Sequence, residues 1–217
     1  MDVARAPTEP TIPIGAMRTN PKAASMPATY PDTLDAKAFD TPRVLLAGTV
    51  DYAMYEHFRR QLAQAPTDGL AVIELSTLGG DPEVARMMGE DVRFQSECNP
   101  DRRIVFLGKA AIYSAGATFM SFFARRNRYL TRGTRLMIHE RKMNKKLEIN
   151  GPLTTCIATI KATLHEIEHS ITIQNEGFEN LIRGSSVTMD EVLEKAPCNW
   201  YLEAQEAKAM GLIQGVI

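Results

Sequence analysis

The sequence predicts an α/β fold: a mostly parallel sheet flanked by helices, with one long helix attached. From residue 43 onward, short apolar runs alternate with amphipathic stretches, the pattern of βαβ units joined by right-handed crossovers. Several amphipathic stretches open on residues suited to capping a helix, among them Asp51, Asp81 and Thr188. Farther on, Leu153, Ile157, Ile160, Leu164, Ile167 and Ile171 are spaced 4, 3, 4, 3, 4, a heptad seam narrower than the buried face of an ordinary surface helix.

Val44 to Ala47 reads as a buried strand. Asp51 then caps a helix whose apolar face carries Met54, Phe58 and Leu62. Leu70 to Leu75 is the second strand. Asp81-Pro82 places proline at the first helical position, where its missing N–H costs nothing, and opens a helix to about Ser96. Ile104 to Leu107 is a third strand, residues 115–125 read as helix, and Tyr129-Leu130 and Leu136 to Ile138 are short strands around an Arg132-Gly133 turn. The seam helix continues its register through Gln174 to Phe178 and Leu181, so it covers about 153–183. A strip this strict predicts packing on another helix, and the compactness of the rest points to a helix of another subunit. Thr188 to Glu191 is a capping box. A short helix from Ala204 to Met210 ends at Gly211.

Residues 1–42 differ. Prolines 7, 10, 13, 21, 27 and 31 interrupt any period, and the segment reads as a flexible arm or propeptide. Residues 43–217 are the folded domain. A chain of 217 residues with 44% hydrophobic and 24% charged residues is ordinary for a soluble globular protein. The net charge of -1 gives no bulk attraction for nucleic acid. No apolar run approaches the roughly 18 residues of a membrane span, and no signal-type apolar stretch occurs near the start. Cys98, Cys156 and Cys198 are odd in number and widely spaced, which predicts no disulfide framework and a cytoplasmic location.

The residues that could do chemistry are few. Ser114 sits in Tyr113-Ser114-Ala115-Gly116-Ala117, after a strand and at a helix start, where backbone N–H groups are unpaired. Small neighbours let a peptide backbone approach it. His139 ends the run Arg135-Leu136-Met137-Ile138-His139 and is placed to accept a proton from the serine and return it to a leaving amine. Gly79-Gly80 breaks off the second strand; its N–H groups suit an oxyanion hole and pairing with a bound peptide. Taken singly, Ser114 is a helix cap and the glycines a turn. Together with His139 they are the parts of a serine acyl-transfer site. His165-Glu166-Ile167-Glu168-His169 matches a zinc pattern, but the heptad register puts both histidines on the outer side of the helix and no third ligand is evident. His57 lies on a polar helix face.

Four motifs in order resemble the ClpP family, the proteolytic subunit of ATP-dependent Clp protease. Ser76-Thr77-Leu78-Gly79-Gly80 resembles its Asn-Ser-Pro-Gly-Gly, Tyr113-Ser114-Ala115-Gly116-Ala117 its Ala-Ser-Met-Gly-Ala, and Arg135 to His139 its Arg-Val-Met-Ile-His. The tail from Asn199 to Ile213 resembles Asp-Arg-Phe-Leu-Ser-Ala-x-Glu-Ala-x-x-Tyr-Gly-Leu-Ile. The resemblance implies a ClpP/crotonase-like spiral with a handle-type helix. It also implies a serine endopeptidase acting on unfolded or short polypeptides inside stacked homo-oligomeric rings. By the same resemblance Ser114 is the nucleophile, His139 the base and Asn199 the third member. Gly80 and Ala115 form the oxyanion hole, and Gly79 and Gly80 bind the substrate strand. No metal or other cofactor is implied, and no nucleic acid or membrane. An AAA+ unfoldase or a paralogous subunit is a possible partner, although no docking loop is legible.

Departures from the family pattern are Asn199 where the family usually has Asp, Ile112-Tyr113 before the serine, and a longer, basic stretch after His139 (Lys142, Lys145, Lys146). An amide can hold an imidazole but cannot stabilise its charge, and Asp-to-Asn in the serine-protease template costs about 10⁴ in kcat. Asn199 therefore predicts a slow enzyme, another acid in its place (Asp190, Glu194 or Glu203), or a non-catalytic ring subunit that modulates an active paralogue. A crotonase-type acyl-CoA enzyme would use the same oxyanion hole but leave Ser114 and His139 without a role.

Overall fold

The structure, a computed structural model, describes residues 33–40 and 42–217. Of the segment read as an arm, residues 1–32 and 41 lie outside the described residues. In chain order the elements are β1 (Val44–Ala47), α1 (Tyr52–Gln64), β2 (Gly69–Thr77), α2 (Pro82–Cys98), β3 (Arg102–Tyr113), α3 (Ala115–Ser121), β4 (Arg128–Leu130), β5 (Arg135–Ile138), α4 (Leu153–Ile182), α5 (Met189–Lys195), β6 (Trp200–Glu203), α6 (Ala204–Ala209) and β7 (Gly215–Val216). The α/β class is as the sequence predicts. Strands β1, β2, β3, β4 and β7 are parallel neighbours in that order, while β5 pairs parallel with β3 and antiparallel with β6.

The predicted caps sit where their chemistry requires. The Asp51 carboxylate accepts from the Met54 N–H at 2.9 Å, Asp81 from Glu83 N–H at 2.8 Å, and the Thr188 hydroxyl from Glu191 N–H at 3.2 Å. The sequence does not predict strands β6 and β7, and two elements differ most in extent. Residues 115–125 are helical only to Ser121, because the chain must turn into the short 3-10 helix Arg125–Asn127 that delivers β4. The third strand runs over twelve residues instead of four. It bends at Ala110, which has φ +59°, and so changes partner from β4 at Phe106–Gly108 to β5 at Ala111–Tyr113. That bend leads the end of β3 to the place where the chemistry-bearing residues gather.

The main core lies between the sheet and helices α1, α2 and α3. Phe58, Phe106, Phe119 and Met88 are fully buried there, and Phe119 meets Phe58, Phe106 and Phe123 edge-on at centroid distances of 5.2–6.1 Å. On the opposite sheet face, Phe39 packs on Tyr129 at 4.9 Å, beside Val72, Val105 and Leu107. Buried Arg128 joins the end of α3, the end of α4 and the C-terminal segment. Its guanidinium donates to the carbonyls of Phe123, Leu181, Leu212, Ser121 and Asn180 at 2.6–3.3 Å. Burial, with Arg125 and Arg183 nearby, pushes its pKa down to about 10, so it stays charged at neutral pH.

Helix α4 stands apart from this core. Only Phe178 and Leu181, near its end, are buried. The six seam residues from Leu153 to Ile171 remain 39–81% exposed. His165 and His169 are exposed, as is His57. All three cysteines are free. Among the described residues, no helix is long and apolar enough to cross a membrane.

Candidate active site

Sheet register brings the site together. Tyr113 of β3 pairs with Met137 of β5, and the Ser114 N–H continues that ladder by donating to the Met137 carbonyl at 3.0 Å. Ser114, the residue after β3, therefore falls level with Ile138, the last residue of β5, one position before His139. The Ser114 Oγ and His139 Nε2 are 2.5 Å apart, although 25 residues separate them in sequence.

Ser114 is held in a conformation that ordinary residues avoid, with φ +54° and ψ −112°. Such a backbone is costly for a residue with a Cβ and persists where its surroundings impose it. Here the β3–β5 ladder fixes its N–H and α3 fixes its carbonyl, which accepts from Thr118 N–H at 3.1 Å. Its hydroxyl makes no cap bond to the helix. The sharp strand-to-helix turn aims the hydroxyl at the imidazole instead.

Gly79 lies against the serine, and Gly80 follows Gly79 in the chain. Both need positive φ, +116° and +152°. A Cβ on Gly79 would sit 3.0 Å from the Ser114 Cβ and 3.4 Å from its Oγ, so the missing side chain is what leaves the hydroxyl open from that side. Gly80 bridges Val50, whose N–H donates to the Gly79 carbonyl at 3.0 Å and whose carbonyl accepts from Asp81 N–H at 2.8 Å. This bridge uses the Gly79 carbonyl and the Asp81 amide and does not engage the Gly80 N–H. Ala115 is the first residue of α3, where an N–H has no acceptor within the helix. Buried Thr77, which the sequence does not single out, locks the loop. Its hydroxyl donates to the Gly79 carbonyl at 3.1 Å and accepts from the Gly79 N–H at 3.0 Å.

His139 is half-buried. Burial, and then the Lys142 ammonium, hold its imidazole below the ordinary value of 6.5, with Glu140 pulling the other way. It is therefore neutral at pH 7 and able to accept a proton at Nε2. Its Nδ1 has no hydrogen-bond partner among the described residues. Asn199 lies one step beyond the last β5–β6 pair, Ile138 with Trp200, so its backbone runs alongside that of His139. It adopts a left-handed conformation with φ +59° and is exposed. The structure thus joins Ser114, His139 and the glycine pair, and brings Asn199 alongside without a side-chain bond to the imidazole.

A cleft opens beside the serine and histidine. Ala117, Phe122, Ile138 and Phe178 give it an apolar wall, and Arg86 and Arg141 stand among its polar lining. Ile112 is buried in the core, while Tyr113 meets Tyr201 edge-on at 5.5 Å. Among the described residues, no group of three His, Cys, Asp or Glu side chains is arranged to hold a metal ion.

Comparison with known proteins agrees with the fold. The family model described as Clp protease matches residues 31–217. Among solved structures, the chain is similar to an asparagine-to-aspartate mutant of ClpP1 from Listeria monocytogenes. The TM-score is 0.62 and the identity 18%, over 83% of this chain and 94% of that one. At that identity the likeness speaks for the fold. No curated protein matches the sequence.

Proposed function

Because the chain belongs to the Clp protease family, we propose that it is a serine endopeptidase that hydrolyses peptide bonds of unfolded or short polypeptides. The observation that carries this is the 2.5 Å contact between the Ser114 Oγ and the His139 Nε2. As a substrate carbonyl settles over Ser114, the Oγ–C bond forms and the serine proton passes to Nε2. The carbonyl oxygen becomes an oxyanion facing the amides of Gly80 and Ala115. Collapse breaks the C–N bond, and Nε2 returns the proton to the departing amine. Water then attacks the acyl-enzyme with His139 again as base, releasing the acid and regenerating the hydroxyl. The Gly79 N–H and carbonyl are held by Thr77 and Val50, so of the two glycines Gly80 is the one we assign to meet the substrate backbone.

For Nε2 to accept, Nδ1 must carry the ring hydrogen. Asn199, alongside, is the residue we assign to take that hydrogen bond through its amide oxygen. The exposed seam of α4 supports association with further copies of the chain, and stacked rings enclosing the cleft would limit cutting to chains that thread inside. An AAA+ unfoldase would supply such chains in a cytoplasmic setting.

The unpartnered Nδ1 favours a second reading, in which this is a weak or inactive ring subunit modulating an active paralogue. A fluorogenic peptide and a fluorophosphonate serine probe separate the two. Wild type should turn over the peptide and label, Ser114→Ala should do neither, and Asn199→Asp should raise kcat. Equal labelling of wild type and Ser114→Ala defeats the peptidase assignment. Co-purification with a second, aspartate-containing subunit, without intrinsic turnover, selects the modulator.

A further inference from the structure

We infer that Arg141 is a positioning residue that holds the His139 backbone against Ser114 and the oxyanion loop, by tying the segment after β5 to both α2 and α4. This rests on the peptidase reading above. The ladder that fixes β5 ends at Ile138, and from His139 to Asn150 the chain has no regular secondary structure. His139 thus sits on the first residue beyond the sheet, with a ring whose Nδ1 finds no protein partner among the described residues. A base usually has a second group that orients its imidazole. Here the placement of the ring depends on the placement of the backbone that carries it.

Two bonds from Arg141 supply that placement. Its backbone N–H donates to the Gln174 Oε1 at 2.7 Å, which docks the segment on α4. Its Nη1 donates to the Glu83 Oε1 at 2.5 Å. Glu83 lies in the first turn of α2, three residues after Gly80, and its other oxygen, Oε2, is held by Arg86 at 2.7 Å. The carboxylate is fixed through both oxygens, and the chain Arg86–Glu83–Arg141 runs from the oxyanion-loop helix to the base-bearing segment. The Arg141 side chain is only 19% exposed, against 51% for Glu83. Gln174 falls on the α4 seam yet serves as an acceptor, which accounts for a polar residue in an otherwise apolar register.

A displacement of about 1 Å between reacting groups costs on the order of 10²-fold in rate. Arg141→Met, which keeps the aliphatic stem, should lower kcat by about 10–100-fold with KM nearly unchanged, and should slow fluorophosphonate labelling of Ser114 by a similar factor. Glu83→Ala should do the same. The double variant should be no slower than either single one, because both remove one brace. Arg141→Lys, which keeps a donor cation, should recover part of the rate. Native mass and circular dichroism check that each variant is folded and assembled like wild type. Labelling of Arg141→Met at the wild-type rate, losses that multiply in the double variant, or no recovery with lysine overturns the inference while leaving the peptidase reading intact. Wild type labelling no faster than Ser114→Ala overturns that reading and this inference with it. A variant that misfolds is replaced by Glu83→Gln, whose retained acceptor should keep at least a third of the wild-type labelling rate, and a larger loss counts against the brace.

Discussion

Replacing Ser114 by glycine should leave the protein more stable than replacing it by alanine. Both changes delete the hydroxyl and its bond to His139, so the difference isolates the backbone. At φ +54° and ψ −112°, a residue with a Cβ carries strain of about 1–3 kcal/mol, which glycine relieves. Opposing this, glycine gives the unfolded chain more freedom, worth roughly 0.5–1 kcal/mol. The strain term wins, leaving the glycine variant ahead by about 1 kcal/mol. For a chain of 217 residues that corresponds to a Tm difference of roughly 2–4 °C. Calorimetry or denaturant titration of the two variants at one protomer concentration measures it, since assembly makes Tm concentration-dependent. Peptide turnover should be absent from both. A glycine variant equal to or less stable than the alanine one would show that the turn holding the serine is unstrained, and the stored-strain reasoning would fall.

Gly80→Ala would bring a Cβ to 2.7 Å from the Val50 nitrogen and 2.9 Å from its carbonyl carbon. Backbone cannot yield there, so the bridge should open and kcat should fall about 10²–10³-fold, as for loss of one oxyanion donor; peptide turnover within threefold of wild type contradicts this. To accept the serine proton His139 must be neutral, and its pKa is depressed below 6.5 by burial and Lys142. Activity should therefore be lost only as pH falls through a midpoint below 6.5, and Lys142→Gln should move that midpoint upward; a wild-type midpoint above 6.5 in the kcat/KM profile refutes it. Ile160→Asp with Ile167→Asp should shift native mass toward smaller species, because both positions lie on the exposed α4 seam; an unchanged mass removes α4 from the interface. Arg128→Met leaves a cluster of buried carbonyls without their donor and should lower stability by about 1–3 kcal/mol or more, read from the denaturant midpoint; an unchanged midpoint would show that the carbonyls find other donors.

Interactions within a few residues of one another were legible from the chain alone. Asp51, Asp81 and Thr188 cap helices because a short oxygen-bearing side chain reaches N–H groups two or three positions on. The seam of α4 was readable because helical period places those residues on one stripe whatever lies opposite. The order of the serine, histidine and glycine motifs carried the family likeness, although motif order says nothing about distance.

What only the tertiary structure decided was set by long-range register. The bend at Ala110 sends β3 from β4 to β5, and that change of partner is what sets Ser114 beside His139. Arg128 and Arg141 look like ordinary surface cations in the sequence. Their partners lie up to 84 and 58 residues away, so no local spacing announces them. Period and capping depend on covalent neighbours, whereas strand pairing and buried-charge contacts depend on which distant segments the assembled sheet brings within hydrogen-bond reach.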